Sequence, residues 1–115
     1  NSRMTKYNAL GDVLWTKDYG CNKFDLVPLD VQKYDNRYFV TGIAMDRKLL
    51  FWDTFLQCLN KNGDEIYMKI YEGERRFDNS QYSNNIFKTK DGMFLLVYRK
   101  GNHTSIAKVN ELGEN

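Results

Sequence analysis

Apolar and polar residues alternate along this chain in short runs, and most runs end at a turn signal. Ile66-Tyr67-Met68-Lys69-Ile70-Tyr71 is rich in β-branched and aromatic side chains, which suit a half-buried pleated surface. Phe55-Leu56-Gln57-Cys58-Leu59 reads as its partner strand, and Asn62-Gly63 between them predicts a two-residue type I′ turn with positive φ at both residues. Further strands are predicted over Val13–Tyr19, Arg37–Ile43, Tyr82–Thr89, Met93–Tyr98 and His103–Val109, with turns at Asp35-Asn36, Asp91-Gly92 and Lys100-Gly101-Asn102. Proline cannot donate to a ladder, so the strand near Pro28 is expected to begin at or after it and to reach Lys33. Residues 44–50, with Asp46-Arg47-Lys48, read as an exposed connection, and a short helical turn fits only Leu49-Leu50-Phe51-Trp52. No segment sustains a 3.6-residue period with caps, so the chain is predicted to be all-β.

The hairpin recurs. Asn8-Ala9-Leu10-Gly11-Asp12-Val13-Leu14-Trp15-Thr16-Lys17-Asp18-Tyr19-Gly20 stands 52 residues before Asn60–Gly73, pairing Gly11 with Gly63, Trp15 with Tyr67, Lys17 with Lys69 and Tyr19 with Tyr71. Lys108-Val109-Asn110-Glu111-Leu112-Gly113 opens a third copy 50 residues after the central one. A period of this length marks repeat architectures, among them propeller blades of four strands. Trp15 and Tyr67, like Tyr19 and Tyr71, hold equal repeat positions, which points to structural packing rather than ligand stacking.

Composition narrows the class. With 115 residues, 42% of them hydrophobic, the chain has the length of one domain and enough apolar surface for a core. A net charge of +2 does not point to nucleic acid, and runs such as Phe94-Leu95-Leu96-Val97-Tyr98 fall far short of the roughly 20 residues of a membrane span. The opening Asn1-Ser2-Arg3 leads to the expectation of a processed chain or part of a longer one. Cys21 and Cys58 are too few for a disulfide framework and are expected to be unpaired, as small buried hydrophobes, with pairing left open.

Hairpins of the form Lys-x-Asn-x-x-Gly-Asp/Glu, here Lys6 to Asp12, are followed by Leu14-Trp15-Thr16-Lys17-Asp18-Tyr19-Gly20. Together with the Asp91-Gly92 turn and the strand Met93-Phe94-Leu95-Leu96, they resemble the repeats of secreted bacterial β-propellers. That family is common among cell-surface and outer-membrane-associated proteins, including ones exported by type IX secretion. Asp35-Asn36 fits the Asp-Gly slot with Asn in place of Gly, while segments 21–34 and 74–90 depart from the pattern in length. The resemblance implies blades of four antiparallel strands within one propeller domain. Residues 12–19 would be the outer strand of one blade, about 25–71 a complete blade and about 82–109 three strands of a further one. It carries no catalytic signature. Isolated blades leave faces uncovered, so contact with a longer chain or a protein partner is expected, burying Val13, Trp15, Phe94, Leu96 and Ile106.

Candidate chemistry is sparse. His103 is the only histidine, and with Cys21 and Cys58 it lacks the close ligand pairing of a metal site. No nucleophile elbow accompanies Ser105, and no glycine-rich phosphate loop is present. No catalytic residue, metal or cofactor is assigned. In a propeller, loops 20–24, 44–50, 72–80 and 99–102 share one face, and they carry Lys23, Arg47, Lys48, Arg75, Arg76, Arg99 and Lys100 against fewer acids. Long loops on a rigid scaffold are where binding usually resides. The expected function is a non-catalytic scaffold that binds another protein. The alternatives are a carbohydrate- or polyanion-binding module, or the propeller part of an enzyme whose catalytic residues lie outside these 115.

Overall fold

Among the described residues the alternating runs form nine strands. In the computed structural model, which describes residues 2–20, 23–48, 52–71, 85–100 and 103–115, these are β1 (Ser2–Tyr7), β2 (Val13–Tyr19), β3 (Phe24–Tyr34), β4 (Arg37–Asp46), β5 (Trp52–Asn60), β6 (Glu65–Tyr71), β7 (Asn85–Lys88), β8 (Phe94–Lys100) and β9 (His103–Val109). All pairings are antiparallel between neighbours in sequence, giving sheets β1-β2, β3-β4-β5-β6 and β7-β8-β9. The chain is all-β, and the three sheets are open rather than closed into a barrel.

The four-stranded sheet is covered on both faces, which is why β4 and β5 are buried almost without alternation. Successive side chains of a strand point to opposite faces. Phe55 and Leu59 therefore join Leu26, Tyr38, Val40 and Ala44 on one side, packed against Met4, Trp15 and Tyr19 of the first sheet. Leu56 and Cys58 join Phe39 on the other side, packed against Ile86, Phe94 and Val109 of the third. Thr41, buried with them, donates its hydroxyl to the Phe55 carbonyl at 2.8 Å, so its polar atom is satisfied. Neighbouring sheets of the chain itself thus cover Phe94 and, in part, Trp15, and Leu96 is buried too, while Val13 and Ile106 stay 57% and 64% exposed.

Three sequence expectations need correcting. The Asn62-Gly63 hairpin is not a two-residue type I′ turn: Gly63 has positive φ (83°) but Asn62 does not. Gly63 N–H donates to the Asn60 carbonyl and Asn60 N–H to the Asp64 carbonyl, so the connection is a type I turn closed by a left-handed glycine. The strand at Pro28 begins earlier, at Phe24, because β3 lies at the sheet edge, where a missing N–H is tolerated. Its pairing shifts between Pro28 and Asp30. Finally, residues 44–46 belong to β4, with Ala44 and Asp46 buried, so the exposed connection starts only at Arg47. The expected helical turn at 49–52 lies largely outside the described residues, but Trp52 is in β5. The start of the strand predicted from Tyr82, the turn at 101–102 and Cys21 also fall outside them.

β7 shows how an edge is managed. The Ile86 N–H donates to the Asp30 carboxylate at 3.1 Å and the Lys88 N–H to the Tyr34 hydroxyl at 3.2 Å, so side chains of β3 occupy donors that a further strand would otherwise take.

Where the irregular stretch of β3 crosses β4, only glycine fits. A Cβ on Gly42 would lie 2.0 Å from the Val27 carbonyl oxygen and 2.8 Å from the Pro28 Cα, both backbone atoms that cannot swing aside. Gly42→Ala is therefore expected to destabilise the fold by about 2–3 kcal/mol, read as a lowered urea midpoint at unchanged slope. A midpoint equal to that of the native chain would mean that β3 approaches β4 less closely.

Candidate functional site

The turns at the ends of β1, β5 and β9 repeat one local device. In each of the turns 8–12, 60–64 and 110–114 the leading Asn accepts two backbone N–H bonds on its Oδ1, all within 2.9–3.0 Å. The glycines Gly11, Gly63 and Gly113 take φ of 87°, 83° and 76°, which a side chain disfavours. An Asn that bonds the backbone ahead of it and a left-handed glycine together close the hairpin without help from the rest of the fold.

Two of these turns serve as seats for the strand of the sheet before. Trp15 lies on Gly63, whose added Cβ would meet the ring at 2.9 Å, and its indole N–H donates to the Lys61 carbonyl at 3.2 Å. The Tyr19 hydroxyl donates to the Gly63 carbonyl at 2.5 Å, and the Lys17 ammonium pairs with Asp64. One repeat later the Tyr71 hydroxyl donates to the Gly113 carbonyl at 2.6 Å, with Tyr67 and the Lys69 stem against the same glycine. Residues 12–19 and 64–71 thus both fold as strands after the same turn, as their spacing predicts. They share the ring-on-glycine approach and the terminal tyrosine bond, whereas the bonds of Trp15 and Lys17 belong to the first of them.

Burial raises the Tyr19, Tyr67 and Tyr71 hydroxyl pKa values, that of Tyr71 to about 12, further above a phenol value that already leaves them protonated at neutral pH. The Tyr67 hydroxyl is buried and has no hydrogen-bond partner among the described residues. Cys58, a free thiol beneath the same layer, is also pushed up by burial, opposed by the charge of Arg37 and its hydrogen bond.

Between the second and third sheets, at their hairpin end, a cleft of about 540 Å³ opens. Phe39, Phe94 and Ile66 line it together with Tyr34, and Asp35, Arg37, Lys61, Lys88 and Glu111 add charge of both signs. Lys88 is 3.3 Å from Asp35 and stands 5.9 Å over the Tyr34 ring. None of these residues was singled out from the sequence as a binding group. Hairpin spacing places each turn within its own sheet but does not say which turns of different sheets converge.

The basic residues chosen from the sequence divide. Lys23, Arg47 and Lys48 meet at one end of β3-β4, joined by a 3.0 Å bond from the Arg47 N–H to the Lys23 carbonyl. Acids answer them: Arg47 pairs with Asp25 at 2.8 Å, Lys23 lies 3.8 Å from Asp46, and the Lys48 N–H donates to Asp46 at 2.9 Å. Arg99 sits on β8 opposite Thr104. Arg75, Arg76 and the side chain of Lys100 lie outside the described residues. Among the described residues no three His, Cys, Asp or Glu side chains gather as metal ligands, and no helix is long and apolar enough to cross a membrane. Compared with family models, curated proteins and solved structures, the chain finds no match.

Two outcomes follow from the turns. Ala at Gly11 meets only the positive-φ penalty, since no atom of the described residues lies within 4 Å of its Cβ position, whereas Ala at Gly63 also strikes the Trp15 ring. Gly63→Ala should therefore destabilise by about 1–3 kcal/mol more than Gly11→Ala in parallel thermal melts, and equal losses would contradict the packed seat. In the related turn 89–93, Lys108 at 2.5 Å, then the Thr89 hydroxyl and the Met93 N–H, lower the Asp91 carboxyl pKa from 3.8 to about 2. Because the folded value is depressed, its stabilising contribution is present above the unfolded carboxyl range and is lost as pH falls from about 4 through the folded midpoint. Carboxyl NMR should give that low midpoint, and Lys108→Met should move it back up. An unshifted midpoint in the native chain would remove the pair.

Proposed function

We propose that this chain is a non-catalytic, β-propeller-type scaffold segment of a secreted or cell-surface bacterial protein, and that it binds another protein. One observation carries the scaffold reading: the same strand-on-turn contact joins the first sheet to the second and the second to the third, in the same direction. A contact that repeats in one sense along the chain is what an array of blades needs, since each sheet then covers one face of the next. The resemblance of Asn8–Gly20 and Asn60–Gly73 to secreted propeller repeats supplies the location.

The cleft at the hairpin end is the binding surface that best suits this role. It combines an apolar wall at Phe39 and Ile66 with Arg37 and Lys61, a mixture that would hold a partner segment presenting a carboxylate beside an apolar side chain. A glycan is the second reading, favoured by Asn36 and Asn62 at the same cleft. With a co-purifying protein partner in hand, the exchange Arg37→Glu with Lys61→Glu is expected to abolish co-purification without removing the cooperative melt. Undiminished partner binding by that variant would exclude the cleft. Selective retention on a glycan array, lost in the same variant, would replace the protein partner by a carbohydrate.

A further inference from the structure

We propose that the turn Asn8–Asp12 is a docking site for a β-strand with the spacing aromatic-x-Lys-x-Tyr, donated by a further repeat unit. The proposal rests on the scaffold reading and deepens it by naming the chemistry of one contact. Three turns share the same Asn-anchored build, and two of them are covered in the same way. Gly63 and Gly113 are buried beneath the aromatic strands β2 and β6, while Gly11 is exposed and, among the described residues, nothing lies within 4 Å of its Cβ position.

Gly11 takes its left-handed φ for the hairpin alone, yet the surface around it matches the occupied seat at 60–64 group by group. Offsetting by 52 residues, the Ala9 carbonyl corresponds to that of Lys61, which accepts from Trp15, and the Gly11 carbonyl to that of Gly63, which accepts from Tyr19. Asp12 corresponds to Asp64, the partner of Lys17. The occupant must therefore bring an aromatic ring with a donor at its rim, a cationic side chain two residues on and a phenol two residues further.

Tyr7, Leu10, Val13 and Leu14, all more than half exposed, surround the turn with apolar surface for that ring. Farther along the outward side of the first sheet the character changes. Arg3 pairs with Asp18 at 2.7 Å and Thr5 bonds Thr16 at 3.2 Å, where the second sheet carries Ile70 and Met68 in place of Asp18 and Thr16. Contact is thus concentrated at the turn end. A second copy of the chain is a poor occupant, because its own strands of this spacing, β2 and β6, already lie on turns 60–64 and 110–114.

The test uses the full chain, 15N-labelled, titrated with a synthetic peptide of residues 12–20. Amide shifts should concentrate on residues 8–12. A peptide with Trp15→Ala and Tyr19→Ala should bind about tenfold or more weakly, the equivalent of losing two hydrogen bonds and a ring contact. Leu10→Asp in the chain, at a side chain 88% exposed and so without effect on the fold, should weaken the native peptide as well. Equal shifts from both peptides, shifts centred elsewhere, or none at millimolar peptide would overturn the proposal. Each would leave the scaffold reading intact, because that stands on the contacts at Gly63 and Gly113. Concentration-dependent self-association that protects residues 8–12 without peptide would make a second copy the occupant and overturn the one named here.

Discussion

The structure depends on an aromatic strand seated on a glycine that has no side chain to obstruct it. At Gly63 and Gly113 the positive φ that closes the turn also clears the space into which the neighbouring sheet fits. Local and tertiary requirements coincide on the same residue, which is a form of the mutual support between levels that gives a sequence a single favoured fold. Tyr19 and Tyr71 add directionality, because a hydroxyl aimed at one carbonyl sets where along the turn the strand rests. Lys17 with Asp64 adds an exposed ion pair, whose share of stability is small but whose geometry favours the same placement.

From this contact follows the burial of the central sheet. Because β2 and β1 cover one face and β7 to β9 the other, β4 and β5 become interior on both sides, and their sequences lose the alternation that the flanking strands keep. Arrays of this kind derive stability from nearest-neighbour interfaces as much as from each unit. The aromatic group Tyr34, Phe39 and Phe94, with centroids 4.4–6.2 Å apart, is one such interface, tying the start of the second sheet to the third. The cleft opens directly above it, so the residues that floor the proposed binding surface also hold two sheets together.

Hairpins and strands were legible because each is encoded within a few residues. Alternation marked β2, β6 and β9, and Asn followed three residues later by Gly marked the turns, although the turn type was misassigned where Asn62 keeps negative φ. Pro28 misled for a related reason: its missing N–H forbids a central strand but not an edge strand, and edge position is not a local property. Ala44 and Asp46 read as a connection because a charged cluster follows them, yet pairing with Leu26 and Phe24 keeps them in the ladder. The candidate binding residues were the least legible. Arg37, Lys61, Lys88 and Glu111 come from four separated segments, and nothing in their spacing announces that they meet.

The chain by itself determined the all-β class, the antiparallel meanders and the recurrence of one hairpin at intervals near 50 residues, because turn chemistry and two-residue alternation act over short distances. Tertiary structure alone decided which face of each sheet is covered, that Gly42 must be glycine where β3 approaches β4, and that Gly63 and Gly113 are roofed by aromatic side chains while Gly11 is not. Those outcomes depend on groups well separated in sequence occupying the same few ångströms, and no local preference of the backbone records that meeting.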